Sequence, residues 1–484
     1  MKKRIPGIIA AIVELIILAA FVIFLASTKM IPNGLLILAS FGVLIITGII
    51  FALTMNFKKK LPFVIGAILV VLTAICCLVG GSYLKKGINT LTEITKPDDE
   101  GVGIAVYVRS SDAAEALEDT KGYTYGILET LDRENIDAAL EQVEGVIGTV
   151  ETKQYADVSE LVDGLEKSQD VDVIILNIGF LSLLEEREDY ETVRSQMKQI
   201  HIEEIKKKAD NSEQVQSDEE LSKTFSVYIS GIDSRDGLVT NSRSDVNIVA
   251  TVNTETHKVL LISTPRDYFV PLSISGGIPD KLTHAGIYGI DVSKDTLGML
   301  YQRDINYYFR VDFNGFEKII DSLGGITVVS DYTFDTKNSQ GYSFVEGENF
   351  VNGSQVLAFA RERYAFTEGD RQRGKNQLHV IEGVIKKAMS PALLKNYSKT
   401  MESLAGSFET NIPYDMIADL VRQQLSDGGQ WSVESYSVDG NGASKVPYSM
   451  NVSAYVMIPD MNTVNTAIEK MDEIEAGNYQ KRSK

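Results

Sequence analysis

The stretch FSVYISGIDSRDGLVTNSRSDVNIVATVNTETHKVLLISTP, residues 225–265, decides the fold. It contains three runs, FSVYISGID (225–233), VNIVATVN (246–253) and KVLLISTP (258–265), rich in β-branched and aromatic residues. Such side chains suit a pleated, half-buried surface. A loop of Gly, Asp, Asn and Ser separates the first two runs, and a short turn at 254–257 separates the last two. These are the residue types that end strands and turn chains. Downstream, 295–301, 313–323, 372–389 and 416–425 carry helical patterning, and ITVVS (326–330) reads as another strand. The mixture predicts an α/β domain over 223–484, with helices on both faces of its sheet.

Upstream lies a second, smaller pattern. GIAVYV (103–108) and VDVIILNI (171–178) read as buried strands, and 113–118, 135–147 and 158–168 as helices. Alternation of this kind predicts a small α/β accessory domain over 101–222 with a largely parallel sheet. Its last part, 179–222, is charged, reads as mostly helical and ends in KKKADNSEQVQSDEELS. No phosphate loop, clustered His or nucleophile motif occurs there, which favours a binding or spacer role.

The first 86 residues are of another kind. Residues 7–27, 31–55 and 61–84 are almost wholly apolar, each long enough to cross a hydrocarbon core of about 30 Å. Three such runs predict three transmembrane helices rather than a cleaved signal peptide. Lys2, Lys3 and Arg4, and then Lys58, Lys59 and Lys60, flank the spans on one side, against Lys29 on the other. The excess of basic residues puts the N-terminus in the cytoplasm and everything beyond the third span outside, despite Lys85 and Lys86. The polar run GINTLTEITKPDDE (87–100) reads as a linker. Glu14 lies within the first span, where an acid is costly and is either functional or a protonated carboxyl facing the bundle.

The 484-residue chain carries a net charge of −19; the N-terminal 86 residues hold +8 of it, which leaves −27 on the remainder. An acidic exterior argues against nucleic-acid binding. Both cysteines, Cys76 and Cys77, lie in the third span. An exported domain without cysteine suits the envelope of a Gram-positive-type bacterium.

Three constellations carry the chemistry. Asp233 ends the first strand of the opening stretch and Asp245 begins the second. Neighbouring strands would bring both carboxylates to one sheet edge. Two acids with open positions suit Mg²⁺, although Asp at strand ends is also ordinary turn chemistry. Arginines form the second group: Arg243 and Arg266 at strand ends, then Arg361, Arg363, Arg371 and Arg373. Their planar forks match phosphate, and the alternative is ion pairing with Glu362, Glu368 and Asp370. In an extended segment Arg361 and Arg363 would share one face, with Glu362 on the other. The third group is the helix after GDRQRG, where Arg373 and Gln377 share a face on the first turns. The apolar stripe behind them, Leu378, Val380, Ile381, Val384 and Ile385, is core or one wall of a groove for a lipid tail. Lys281 is a phosphate contact or a solvated lysine, and His284 reads as a hydrogen-bonding loop residue.

These strings, SGID, SRSDVNIV, STPRDYFVP, KLTHAGIYG, LGGI, NGSQVLAFARERY and GDRQRGKNQ in this order, resemble the LytR–CpsA–Psr family, and the three spans with an accessory domain resemble its capsule-associated CpsA branch. The resemblance implies an α/β/α sandwich with a central mixed sheet and an apolar tunnel for a lipid. It implies a phosphotransferase at the outer membrane surface that moves a glycopolymer, capsular or teichoic-acid-like, from a polyprenyl-diphosphate carrier to peptidoglycan. Asp233 and Asp245 would match the Mg²⁺-linked acids, with Mn²⁺ as a substitute. Arg243, Arg266, Arg361, Arg363, Arg373 and Gln377 would match the residues around the pyrophosphate; Arg371 and Lys281 remain candidate phosphate contacts from the residue reading alone. Asp233, Asp245 and Arg266 are the expected catalytic residues. Many members carry arginine before the glutamine, where this chain has Asn376. The rival readings are a non-catalytic polyprenyl-phosphate receptor and a regulator of capsule assembly.

Overall fold

Long, mostly apolar runs make the first three elements, α1 (Ile5–Ser27), α2 (Asn33–Thr54) and α3 (Lys60–Ile94). A computed structural model describes residues 5–55, 60–95, 101–185, 187–206, 223–232, 242–339, 341–388 and 406–477. Gly7–Ser27, Asn33–Thr54 and Leu61–Glu93 are long and apolar enough to cross a membrane. Ile16, Leu38 and Leu78 stay exposed on their outer faces, as lipid-facing side chains would. Glycine lets the helices close up: a Cβ on Gly7 would lie 2.6 Å from the Thr54 carbonyl oxygen, and one on Gly66 2.7 Å from Thr54 Cγ2. Glu14 is fully buried, and neither carboxyl oxygen has a hydrogen-bond partner. Helix α3 continues to Ile94, so the sequence read as a polar linker is helical over its first eight residues, 87–94. Its Gly, Asn and Thr residues do not prevent this, because an established helix propagates easily.

The described residues fall into two compact units. The first holds α1–α3 and a later amphipathic helix, α12 (Tyr414–Asp427). Met30, Leu91 and Ala418 pack together there, Tyr414 Oη donates to the Thr28 carbonyl at 3.0 Å, and Lys29 pairs with Asp415 at 2.8 Å.

The second unit begins with β1 (Gly101–Arg109), β2 (Thr124–Leu128), α4 (Arg133–Ile147), β3 (Glu151–Tyr155), α5 (Val158–Glu166), β4 (Val173–Asn177), α6 (Ile178–Leu184), α7 (Val193–Gln196) and β5 (Met197–Lys206). The five strands lie in the order β3-β2-β4-β1-β5. Strand β2 runs parallel to β3 and β4, but β1 runs antiparallel to β4 and β5. The sheet is therefore mixed rather than largely parallel. The charged segment read as helical also supplies the edge strand β5. Lys, Gln and Glu dominate its composition, yet pairing with the buried β1 along its length overrides local preference. Where a helix was expected at 113–118, only a 3-10 turn forms, Leu117–Thr120.

The opening stretch forms β6 (Thr224–Ile232), β7 (Ser244–Asn253) and β8 (Lys258–Ser263). Then come β9 (Phe269–Pro271), β10 (Pro279–Lys281), a 3-10 turn (Leu282–Tyr288), α8 (Ile290–Tyr301), β11 (Tyr307–Asp312) and α9 (Phe313–Ser322). Four short strands follow, β12 (Ile326–Ser330), β13 (Phe334–Asp335), β14 (Ser343–Phe344) and β15 (Gly347–Val351), before α10 (Gly353–Arg361) and α11 (Asp370–Ala388). The unit finishes with β16 (Phe408–Thr410), β17 (Ser432–Ser437), β18 (Gly440–Lys445), β19 (Ala454–Pro459) and α13 (Met461–Glu475). The main sheet has six strands in the order β16-β11-β6-β7-β8-β17. Helices α8 and α13 bury Leu297, Tyr301, Val464 and Met471 with Tyr228, Val249, Leu260 and Ile262 of the strands. Helix α9 packs on β11, and the side chain of Ser435 in β17 bonds Glu382 of α11.

Register positions the site. Strand β6 is parallel to β11 and antiparallel to β7, β7 is antiparallel to β8, and β8 is parallel to β17. The carboxyl ends of β6, β8, β11 and β17 therefore meet the start of β7 at one edge. Crevices outside the carboxyl ends of strands are where open α/β sheets bind ligands.

Candidate active site

At that edge Ile232 pairs with Ser244. Asp245 follows Ser244 directly; Asp233 lies outside the described residues. Arg266, three residues past β8, donates from Nη1 to Asp245 Oδ1 at 2.6 Å, with both side chains 16% exposed. Thr283 Oγ1 approaches the same oxygen at 3.4 Å. Asp267 lies 4.0 Å from Arg266 Nε and 3.4 Å from Lys281 Nζ. Lys281 is nearly buried, so it is neither a solvated lysine nor part of the cleft lining. Burial lowers the pKa of the Arg243 guanidinium; Asp245 opposes that shift and Arg266 adds to it. Arginine remains charged nonetheless.

A cleft of about 210 Å³ opens at this edge, lined among others by Asp245, Arg266, Arg371, Arg373, Lys375 and Gln377. Helix α11 contributes the last four. Gly374 brings its first turns onto β8, where an added Cβ would lie 3.3 Å from Ser263 Oγ. Arg373 is held by Asp370 at 2.5 Å, and Lys375 by Glu368 at 2.8 Å. Arg371 reaches across to Asp439 at 2.7 Å and to the Gly440 carbonyl at 2.8 Å, and the Asp439 bond raises its pKa. The ion-pair alternative is thus realised for Arg373 with Asp370, whereas Arg371 pairs with Asp439, an acid outside the expected set; both arginines still line the cleft. Gln377 Nε2 donates to the Ala360 carbonyl at 3.4 Å. Asn376 is buried, bonded to Gln372 and to the Phe359 carbonyl, and is not among the cleft-lining residues. Leu378 and Val380 are core; Ile381, Val384 and Ile385 are half-buried.

Arg361 and Arg363 depart from expectation. They do not share a face of an extended segment, because Arg361 ends α10 and the chain turns at Glu362. Glu362 is fully buried and accepts the backbone N–H groups of Lys337, Asn338, Arg363, Tyr364 and Ala365. Burial alone would raise its pKa; the backbone donors outweigh burial and hold it below the ordinary value. Arg361 then lies over the Phe313 ring at 4.2 Å, and Arg363 over Tyr364 at 4.7 Å. Neither is among the cleft-lining residues.

Asp267, Thr283 and Asp439 were not singled out from the sequence. The adjacency of Arg266 and Asp267 in STPRD was a usable signal for the first; nothing local marked the others. His284 is a hydrogen-bonding residue as expected, with Nδ1 2.7 Å from the buried Asp280.

Among the described residues no three His, Cys, Asp or Glu side chains gather as a metal site. One carboxylate of the expected Mg²⁺ pair, Asp245, is described, and it is bonded to Arg266. Asp245 presents a carboxylate at a phosphate-sized cleft, and this ion is commonly held by one or two acids completed by substrate phosphate.

The LytR_cpsA_psr family model matches residues 190–472. The polyisoprenyl-teichoic acid–peptidoglycan teichoic acid transferase TagU of Bacillus licheniformis is 34% identical over 197 residues, 40% of this chain and 62% of the relative. Its Enterococcus faecalis counterpart is 32% identical over 220 residues, 45% of this chain and 71% of the relative. The crystal structure of B. subtilis TagV superposes with a TM-score of 0.46 at 28% identity, covering 54% of this chain and all of that one.

Proposed function

The chain belongs to the LytR–CpsA–Psr family, and from that membership we propose a membrane-anchored transferase that moves a glycopolymer from a polyprenyl-diphosphate carrier to peptidoglycan. The glycopolymer is of capsular or teichoic-acid type, and the site faces the outside of the plasma membrane of a Gram-positive-type cell. The observation that carries this reading is the convergence of Asp245, Arg266, Arg373 and Gln377 on one cleft, in a chain with three apolar helices of membrane-spanning length.

The chemistry follows from the charges. A diphosphate entering the cleft meets guanidinium forks at Arg266 and Arg373, which suit its oxygens bidentately. A hydroxyl of the acceptor sugar attacks the phosphorus that bears the glycopolymer. The bond from that phosphorus to the bridging oxygen breaks, and the polyprenyl monophosphate leaves with the electron pair. The hydroxyl proton passes to a carboxylate, Asp245 or Asp233. Arg266, already fixed by Asp245, needs no reorganisation as charge develops, which is where preorganised sites gain most. Mg²⁺, or Mn²⁺ in its place, held at Asp245 and Asp233 would supply further neutralisation of phosphate charge.

The test uses the full chain in detergent, a polyprenyl-diphosphate oligosaccharide, a peptidoglycan fragment and either Mg²⁺ or EDTA. Mass spectrometry should find the joined product with Mg²⁺ only, and none with Arg266→Ala or Asp245→Ala. Tight carrier binding without product, across several acceptors, would replace this reading with that of a carrier receptor.

A further inference from the structure

One short segment touches the cleft residues at one end and the accessory domain at the other. Its first residues serve the site. Lys281 pairs with Asp267, Thr283 Oγ1 faces Asp245, and the Thr283 N–H donates to the Arg266 carbonyl at 2.9 Å. Its middle presses on the strand that starts with Ser244. A Cβ on Gly286 would lie 2.6 Å from the Ser242 carbonyl oxygen and 2.9 Å from the Ser244 nitrogen, the two neighbours of Arg243. Its last residues, Ala285, Ile287 and Tyr288, are buried in the core of the accessory domain.

The joint there is polar as well as apolar. Asn177, fully buried at the end of β4, donates from Nδ2 to the Ile287 carbonyl at 3.1 Å and to Asp132 at 2.8 Å. Its Oδ1 caps α6 by accepting the Gly179 N–H at 3.0 Å. Phe180 meets the Tyr288 ring edge-on, centroids 5.6 Å apart. A second tie runs through Asp280, which faces His284 and accepts the Ser449 N–H at 3.0 Å; two residues on, Asn451 donates to Asp157 and Ser159 of the accessory domain. Glu185, just past α6, also acts on the charge of Arg243.

We propose that the accessory domain is a brace for the phosphate site rather than a spacer, and that Asn177 is the positioning residue through which it sets the Lys281–Tyr288 segment. The argument is mechanical. A buried turn with close-packed neighbours on both sides cannot shift at one end alone, because interiors at this density transmit displacement. Asn177 touches no reacting group; it acts through Ile287, Gly286 and the start of β7 on Arg243 and Asp245. This rests on the phosphate-binding reading of the cleft given above.

Asn177→Ser keeps a capping oxygen for α6 but is too short to reach Ile287. Asn451→Ala cuts the second tie from an exposed loop. Both would be made in the full chain and titrated with a polyprenyl diphosphate, alongside thermal unfolding and transfer assays. Loss of folded molecules lowers the number of sites and leaves their affinity unchanged, whereas displaced arginines weaken each site. We expect the Kd to rise about tenfold for Asn177→Ser and about threefold for Asn451→Ala, with the unfolding transition preserved. A Kd within twofold of the parent in both variants overturns the brace. A parent that binds the diphosphate without transferring removes the transferase reading and leaves the brace measurable by the same Kd. A parent that binds none removes both.

Discussion

In the six-stranded sheet the chain leaves one edge through Arg266, Asp312 and Asp439, and Asp245 is the second residue of β7, the strand that starts at that edge. In the five-stranded sheet β4 ends at Asn177 and runs straight into the apolar helix α6. Both edges carry polar groups. At Asn177 they are fully buried and matched by partners inside the protein. At Asp245 and Arg266 they are matched to each other yet stay open to a cleft. A binding edge needs charge that a ligand can still reach; a joint needs polar groups already satisfied, since a buried unpaired one is costly. The comparison therefore separates two sheets of similar make into a site and its support.

The sharpest way to break the distinction is at Arg266. Arg266→Ala removes a preorganised donor from the reacting phosphate, and the transfer rate should fall about 10²- to 10³-fold, as for loss of comparable charge-stabilising donors. The unfolding temperature should fall as well, because Asp245 loses its charge partner at a largely buried position, so the rate is taken per folded molecule below that transition. A rate within threefold of the parent would place the chemistry elsewhere.

The opposite signature belongs to the supporting sheet. Leu176 is fully buried in β4, and Leu176→Ala should cost about 3 kcal/mol of stability through lost burial and a residual cavity. Below its lowered unfolding temperature, and with Asn177 still in place, the affinity of the folded fraction for a polyprenyl diphosphate should match the parent. Calorimetry and titration on the same sample separate the two effects.

Glu362 holds the turn between Arg361 and Arg363 through its charge, which pH can remove. Its pKa is lowered on folding, so its contribution is complete above the unfolded carboxyl value of about 4.3 and is lost as pH falls through the lower folded value. Glu362→Gln should cost about 2 kcal/mol at neutral pH, since charge-assisted acceptance is weakened at a buried position. Stability curves of variant and parent should converge on acidification below pH about 4. Curves that stay parallel would mean that the carboxylate contributes nothing through its charge.

Legibility in the sequence followed locality. The three apolar helices and β6, β7 and β8 were readable because each owes its form to its own residues. So were Asp245 and Arg266, which sit at the ends of those strands, and Arg373 and Gln377, which share a face of one helix. Strand β5 was not, because its form comes from β1, some 95 residues earlier along the chain. Nor was the turn at Glu362, whose carboxylate is captured by the N–H groups of Lys337 and Asn338. Nor was the ion pair of Arg371 with Asp439, 68 residues away, although Arg371 still lines the cleft.

Distant partners of that kind make the smallest prediction informative. Arg361 and Arg363 resemble Arg266 in sequence, yet they end beside rings: Arg361 over Phe313, and the exposed Arg363 over Tyr364, to whose hydroxyl it donates at 2.6 Å. An exposed cation over a ring contributes about 0.5–1 kcal/mol. Arg363→Ala should therefore change stability by no more than that and the transfer rate by less than twofold. A tenfold loss of rate with unchanged stability would mean that the segment after α10 swings Arg363 onto the phosphates when substrate enters. The cleft would then be assembled by its ligand rather than standing ready for it.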